Sequence, residues 1–412
     1  MRILARERRV LLRRGLRLNK EDYTVTYFPL TKEQRALKEL AAQLATAELA
    51  PRAAETDKSG VFPRASLDGL KGSGLWGLRV SKEHGGLGAD LLSTCLVVEE
   101  LAKKCASTAM CYKMHVEAAE LISRMPSDYQ VEQFVKKIAT GEILCTVAGG
   151  ETSGKGDNWV PGMVLSSVEK GDEGYIVDHL RKSYVTSAGQ ASHYFMLCRV
   201  GAETKGHKLS ALFIEADKIE WETLEDWNGL GMRGNNSMPI RFNGIVPEQN
   251  RIGDEGGALK YLGAVMMPVV ALTYGAAYLG VASGAYELAM VEAAKVHPSG
   301  AKRLDNPINQ RRMAELSAKI EAARALLHVA AAAGDAGQVA APLPYLQAKV
   351  SCSEVAVLVT QELMTMFGGT AFAGRLPFER YFRDARAGMI MGLANDDAYQ
   401  TIYSMLFPEK KK

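Results

Sequence analysis

The sequence has no Cys-x-x-Cys pair, and its six cysteines, at 95, 105, 111, 145, 198 and 352, are too thinly spread for a disulfide framework. Cys145 and Cys198 sit inside apolar runs and read as small buried hydrophobes of a reducing compartment. There is no P-loop, no His-Glu-x-x-His and no Gly-x-Ser-x-Gly, which argues against P-loop nucleotide hydrolysis, zincin chemistry and a nucleophile-elbow hydrolase. No Gly-x-Gly-x-x-Gly joins a strand pattern to a helix pattern, so a dinucleotide-binding parallel sheet is not supported. The seven histidines are scattered without metal-ligand spacing, and no metal is expected. Basic surplus is also missing from the body of the chain. Residues 1–17 hold seven arginines against one glutamate, so with a total of +3 the remainder carries −3. No basic stripe is left to neutralise phosphates, and a nucleic-acid partner is not expected.

The Arg-rich head, assigned with its flank to a tail or leader over 1–30, lacks the apolar core and cleavage site of a secretory signal. A cytoplasmic location is expected, or the mitochondrial matrix if the head is a transit peptide. The stretch 261–286 has no charged residue and could span a bilayer by length. Its Gly and Ala content and Pro268 instead predict a helix buried on all sides, not a membrane span.

Periodicity divides the rest. Residues 31–142 carry apolar positions at three and four spacing and predict a helical domain. Over 143–257, short β-rich runs alternate with Gly, Asp and Asn turns, predicting six or seven strands in a small barrel or sandwich. Long helical stretches return over 258–405 as a bundle, and 406–412 is a basic tail. Helices, a β module and then helices is an α+β order.

Four blocks, in this order, carry a resemblance. They are SKEHGGLGAD (81–90), RKSYVTSAGQASHYFMLCRV (181–200), DWNGLGMRGNNS (226–237) and FGGTAFAGRLPFERYFRDAR (367–386). Together they are similar to the acyl-CoA dehydrogenase superfamily over about residues 30–405, with His84 where the family has an aromatic residue. The resemblance implies FAD as cofactor, with Tyr184, Val185, Thr186 and Ser187 against the flavin; taken alone, the same residues read as an ordinary strand. It also implies that the Gly368-Gly369 turn approaches the FAD of a neighbouring subunit, hence a homodimer or homotetramer; a plain helix stop is the competing reading. Arg383 and Asp384 are expected to form a structural ion pair.

The chain departs from the family at its base. The family's catalytic Glu falls at Gly392, flanked by Met391 and Ala394, and the alternative Glu-Arg pair falls at Val270 and Ala271. None of these can accept a proton. Asp396 and Asp397 are the remaining candidates nearby, and an acidic helix cap is the competing reading. The family's flavin- and thioester-binding loop is GGETSGKGDNW (149–159), with Gly150 at the Thr position, and Lys302 or Arg303 stands in for a pyrophosphate-gripping Arg. The expected activity is oxidation of the CH–CH group of an acyl-CoA or related thioester with a non-standard base, its electron acceptor open. Alternatives are a flavin monooxygenase or oxidase, an acyl-CoA elimination enzyme, and a non-catalytic scaffold.

Overall fold

In the computed structural model of this chain, residues 28–151, 164–201, 208–338 and 342–408 are described. Most of the Arg-rich head, most of the basic tail and residues 152–159 of the glycine-rich loop lie outside them. The chain divides into two units, Met1–Thr31 and Lys32–Lys412, and every element named here belongs to the second.

The principal N-terminal helices are α1 (Lys32–Leu44), α2 (Leu91–Ala102) and α3 (Ala106–Ser123). Asp90 caps α2, its side chain accepting a hydrogen bond from Ser93 N at 2.6 Å. Helix α3 is buried along nearly its whole length, including Lys113, His115, Glu117 and Glu120. Burying so many polar groups in one helix requires partners for each of them. Glu120 finds Arg79, whose Nη2 and Nε donate to its two oxygens at 2.7 and 3.1 Å.

Among the described residues eight strands follow: β1 (Cys145–Ala148), β2 (Ser167–Lys170), β3 (Gly174–Val185), β4 (His193–Val200), β5 (Ser210–Glu215), β6 (Glu220–Thr223), β7 (Met238–Pro247) and β8 (Arg251–Ile252). They pair in the order β6-β7-β3-β2-β4-β5-β8, with β1 added parallel to β4. β1 and β4 are buried on both faces because α3 packs on the sheet, whereas the edge strand β6 is largely exposed. β3 runs antiparallel to β7, and its end pairs Val185 with Met238, which brings Thr186 beside Ser237.

The C-terminal bundle comprises α4 (Met267–Ala293), α5 (Pro307–Asp335), α6 (Leu343–Phe367), α7 (Phe378–Arg386) and α8 (Asn395–Leu406). Helix α4 contains most of the uncharged stretch. Its small residues have a packing purpose: a Cβ on Gly280 would lie 2.4 Å from Glu99 O, and one on Gly284 would lie 2.3 Å from Lys103 O. Only glycine allows α4 to meet the carbonyls of α2 at that distance. Among the described residues, two helices, Ala264–Ala293 and Leu343–Phe367, are long and apolar enough to cross a membrane. The first is mostly buried within the bundle, because α2, α3, α5 and α6 all pack on it.

Candidate active site

A cavity of about 660 Å³ opens where α3, α4, the ends of β1 and β3, and the segments 227–237 and 390–394 converge. That volume is in the range of pockets that hold small molecules and cofactors. Its mouth is apolar and exposed: Tyr184 is 54% exposed, Leu230 64% and Ile390 73%. Trp227 meets the Tyr184 ring edge-on, 6.4 Å between centroids, and is held by its Nε1 donating to Met232 O at 3.0 Å.

Of the residues expected at the flavin, Gly150, Tyr184 and Thr186 line this cavity. Val185, paired with Met238, and Ser187, on the turn after β3 at φ +64°, are fully buried and do not line it. Thr186 Oγ1 and Ser237 Oγ lie 2.8 Å apart. Only one hydroxyl hydrogen can sit between them, so the other is left to donate to a guest. A Cβ on Gly150 would come 2.7 Å from Ser183 O, so that loop presses its bare backbone onto β3. An aromatic mouth, a spare hydroxyl donor and close backbone approach suit a flat heteroaromatic ring such as a flavin.

Gly368 and Gly369 are exposed at the end of α6 and do not line the cavity. A Cβ on either would meet nothing within 4 Å. Arg303 is brought to the same helix end, donating to Met366 O at 3.2 Å with its guanidinium 5.1 Å from the Phe367 ring centre. His84 lies on a turn and is not part of the cavity lining. Asp396 and Asp397 occupy the first turn of α8 and do not line the cavity either.

The expected Arg383–Asp384 pair does not form. Arg383 instead grips Asp57 through both nitrogens, at 2.8 and 2.6 Å, and Glu379 at 2.7 Å. Asp384 is buried and accepts from Met232 N at 2.6 Å. Adjacent helical residues point about 100° apart, so each finds its own partner. Burial pushes the Asp384 carboxyl up to about 6, the Met232 N–H only partly offsetting it.

Gly392 and Val270 both line the cavity. Gly392 adopts φ +74°, and a Cβ there would come 2.7 Å from Cδ2 and Cε2 of Tyr274. The tyrosine ring therefore fills the space a side chain at 392 would enter. The segment bearing Gly392 is pinned by Lys349, a buried lysine on α6 whose ammonium donates to Gly388 O at 3.0 Å, Leu393 O at 2.6 Å and Asn395 Oδ1 at 2.7 Å. Burial pulls the Lys349 ammonium down to about 8, with Glu354 opposing.

Two carboxylates line the cavity, and the sequence reading singled out neither. Glu151 is fully engaged: Lys182 and the Ser166 hydroxyl donate to one oxygen, and Leu165 N donates to the other at 2.7 Å. Burial alone would raise its carboxyl, but Lys182 and these donors outweigh that and hold it below the usual range. Glu117, on α3, is 2% exposed. Its Oε1 lies 2.5 Å from Lys113 Nζ and accepts from Thr273 Oγ1 at 2.8 Å. Lys113 Nζ in turn sits 3.2 Å from the centre of the Tyr274 ring. Burial lowers the Lys113 ammonium to about 8, Glu117 only partly restoring it. The signal was present in YKMHVEAAE (112–120): a lysine and a glutamate four apart, in register to pair on one helix face.

Two family models match the chain: acyl-CoA dehydrogenase, N-terminal domain, over residues 31–142, and acyl-CoA dehydrogenase, C-terminal domain, over residues 266–396. The chain is 30% identical over 375 residues to the short-chain specific acyl-CoA dehydrogenase of Clostridium acetobutylicum, covering 87% of this chain and 94% of that protein. It is 28% identical over 371 residues to the 3-sulfinopropanoyl-CoA desulfinase of Paraburkholderia xenovorans, covering 89% and 93%. Among solved structures, butyryl-CoA dehydrogenase from Megasphaera elsdenii superposes with a TM-score of 0.84 at 26% identity, covering 92% of this chain and 99% of that one.

Proposed function

The chain belongs to the acyl-CoA dehydrogenase family, and from that premise we propose that it binds FAD and oxidises the CH–CH group of an acyl-CoA or related thioester. One observation supports the reading most. The cavity joins a flavin-suited wall, at Tyr184, Thr186 and Gly150, to a deeper part lined by Met114, Val270 and Tyr274 that can take an acyl group. The flavin supplies a two-electron acceptor for the β hydrogen. The chain's own residues shape the site. Tyr184, Trp227 and Leu230 form its apolar mouth, the Thr186–Ser237 pair gives one hydroxyl hydrogen, and Lys349 fixes the loop beside the substrate. The electron acceptor that reoxidises the flavin is open.

A second reading has its own support. Gly392 and Val270 offer no carboxylate, and the desulfinase relative covers nearly the same span, so loss of a substituent from an acyl-CoA is the alternative. One experiment separates them: anaerobic titration of the purified holoprotein with a panel of acyl-CoAs. Bleaching of the oxidised-flavin absorbance by at least one saturated acyl-CoA is expected. Release of a substituent with no bleaching would favour elimination. Oxygen consumption by reduced flavin with a non-thioester substrate would favour a monooxygenase or oxidase.

The same reading makes the protein a homodimer or homotetramer. Phe372, 84% exposed beside Gly368-Gly369, and Tyr403 and Phe407, 64% and 62% exposed, offer apolar surface for a second copy. Light scattering of the holoprotein tests this. All six cysteines are free and buried, which suits the cytoplasmic location we propose.

A further inference from the structure

We propose that Glu117 is the proton acceptor for the carbon α to the thioester, taking the role that positions 392 and 270 leave vacant. This rests on the acyl-CoA reading above and deepens it.

Glu117 combines three properties. It lines the same cavity as Gly392 and Val270, so a substrate that reaches those positions also reaches it. It is almost fully buried, and its contacts are one-sided. Oε1 receives both Lys113 and Thr273, whereas Oε2 accepts no hydrogen bond among the described residues. A buried carboxylate oxygen with no donor is costly unless something else meets it. Glu117 lines the cavity, so a guest there is the partner within reach of its carboxylate. By contrast, both oxygens of Glu151 are occupied by donors of its own neighbourhood.

A chain of contacts runs from the lost position to the new one. Gly392 leaves room for the Tyr274 ring, the ring face carries the Lys113 ammonium, and the ammonium anchors Glu117 Oε1. Thr273, the neighbour of Tyr274 on α4, fixes the same oxygen from a second direction. Glycine at 392 is thus one end of an arrangement whose other end is an oriented carboxylate. Anchoring one oxygen and freeing the other leaves a single aimed acceptor, which is what general-base catalysis needs geometrically.

The step is a proton transfer. The Cα–H bond breaks, its electron pair delocalises into the thioester carbonyl, and Glu117 Oε2 gains the proton. No electrons leave the substrate at this stage, so the step can be followed apart from flavin reduction.

The experiment uses holoprotein and 3-thiabutyryl-CoA, in which sulfur replaces the β carbon and blocks hydride loss. Incubation in D2O with mass analysis of the recovered thioester reads α-deuterium uptake, and isothermal titration reads binding. The wild-type protein is expected to catalyse uptake. Glu117→Gln is expected to slow it by at least about 100-fold, a typical general-base contribution, with Kd changed less than about threefold. Glu117→Asp, which keeps the carboxylate, is expected to recover part of the rate. Flavin content and circular dichroism confirm that both variants fold. Uptake by Glu117→Gln at the wild-type rate would overturn the proposal, as would loss of binding alone with the exchange rate per bound thioester unchanged. Absence of wild-type uptake while acyl-CoAs still bleach the flavin would overturn it and leave the proposed function standing. If no acyl-CoA binds at all, the functional reading itself fails.

Discussion

Gly392 is where the physical case can be tested hardest, because two separable effects act on one residue. Replacing it with alanine forces a non-glycine residue to φ +74°, which costs about 1–2 kcal/mol. The new Cβ also falls 2.7 Å from the Tyr274 ring. That ring has little freedom to retreat: it is buried, stacks on Tyr278 at 6.3 Å between centroids, and carries the Lys113 ammonium on its face. Overpacking of this kind adds about 1–3 kcal/mol, so Gly392→Ala should cost roughly 2–5 kcal/mol in total. Removing the ring by Tyr274→Ala opens a cavity worth about 3–5 kcal/mol, but it also abolishes the clash. In the Tyr274→Ala background, Gly392→Ala should therefore cost only the backbone part, an interaction energy of about 1–3 kcal/mol between the two sites. Differential scanning calorimetry of the four proteins reads this. At about 2.1 cal/mol/K per residue, the 412-residue chain should lose about 1 °C of Tm per kcal/mol. Gly392→Ala should then fall about 2–5 °C in the wild-type background and about 1–2 °C beside Tyr274→Ala. Equal shifts in both backgrounds would refute the idea that Tyr274 occupies the space of a side chain at 392. The same reasoning predicts that Gly392→Glu does not supply a working base in the Glu117→Gln background, which flavin bleaching by acyl-CoAs checks.

Three further outcomes are expected. Lys349→Met should strip the 388–395 segment of three hydrogen bonds to a buried ammonium. With about 1 kcal/mol or more lost per unpaired acceptor and some relief from removing a buried charge, a net cost near 3 kcal/mol is expected. Hydrogen exchange should show faster opening of that segment with β3 unchanged. Asp384 has its folded carboxyl at about 6, above its ordinary value near 3.8, so the native state holds the proton more tightly than the unfolded chain. Its contribution is therefore full at low pH and is lost as pH rises through about 6, with a ceiling of roughly 3 kcal/mol. Arg380, Arg383 and Asp57 are the charged groups acting on it, and Asp384→Asn, which keeps an acceptor for Met232 N, should flatten the fall of the Tm profile between about pH 4 and 6.5. Gly284→Val should drive a side chain into Lys103 O, separating α2 from α4, and is expected to reduce soluble yield and Tm by more than about 3 °C.

Much of the architecture was legible because it depends on local periodicity. The apolar spacing of 31–142 and the turn-punctuated β runs after residue 143 each specify their elements without reference to distant residues. The uncharged stretch of α4 was readable for the same reason, since Gly280 and Gly284 make sense only where another backbone comes close. The Arg383–Asp384 expectation went astray because sequence adjacency was mistaken for spatial pairing. On a helix the two side chains diverge, and Asp57 and Met232, from other parts of the fold, take one each. Thr186 could be picked out from its strand, but its facing could not be separated from that of Val185 and Ser187 until the β3–β7 register was known.

The sequence by itself determined the family, the helix–sheet–helix order and the loss of a carboxylate at 392 and 270, because each of these is written in contiguous motifs. Only the tertiary structure decided what stands in the empty place. Tyr274, Lys113 and Glu117 are separated by up to 161 positions from one another, and no local rule relates them. They meet because α3 and α4 pack side by side, and burial then sets the Lys113 ammonium between the Glu117 carboxylate and the Tyr274 ring.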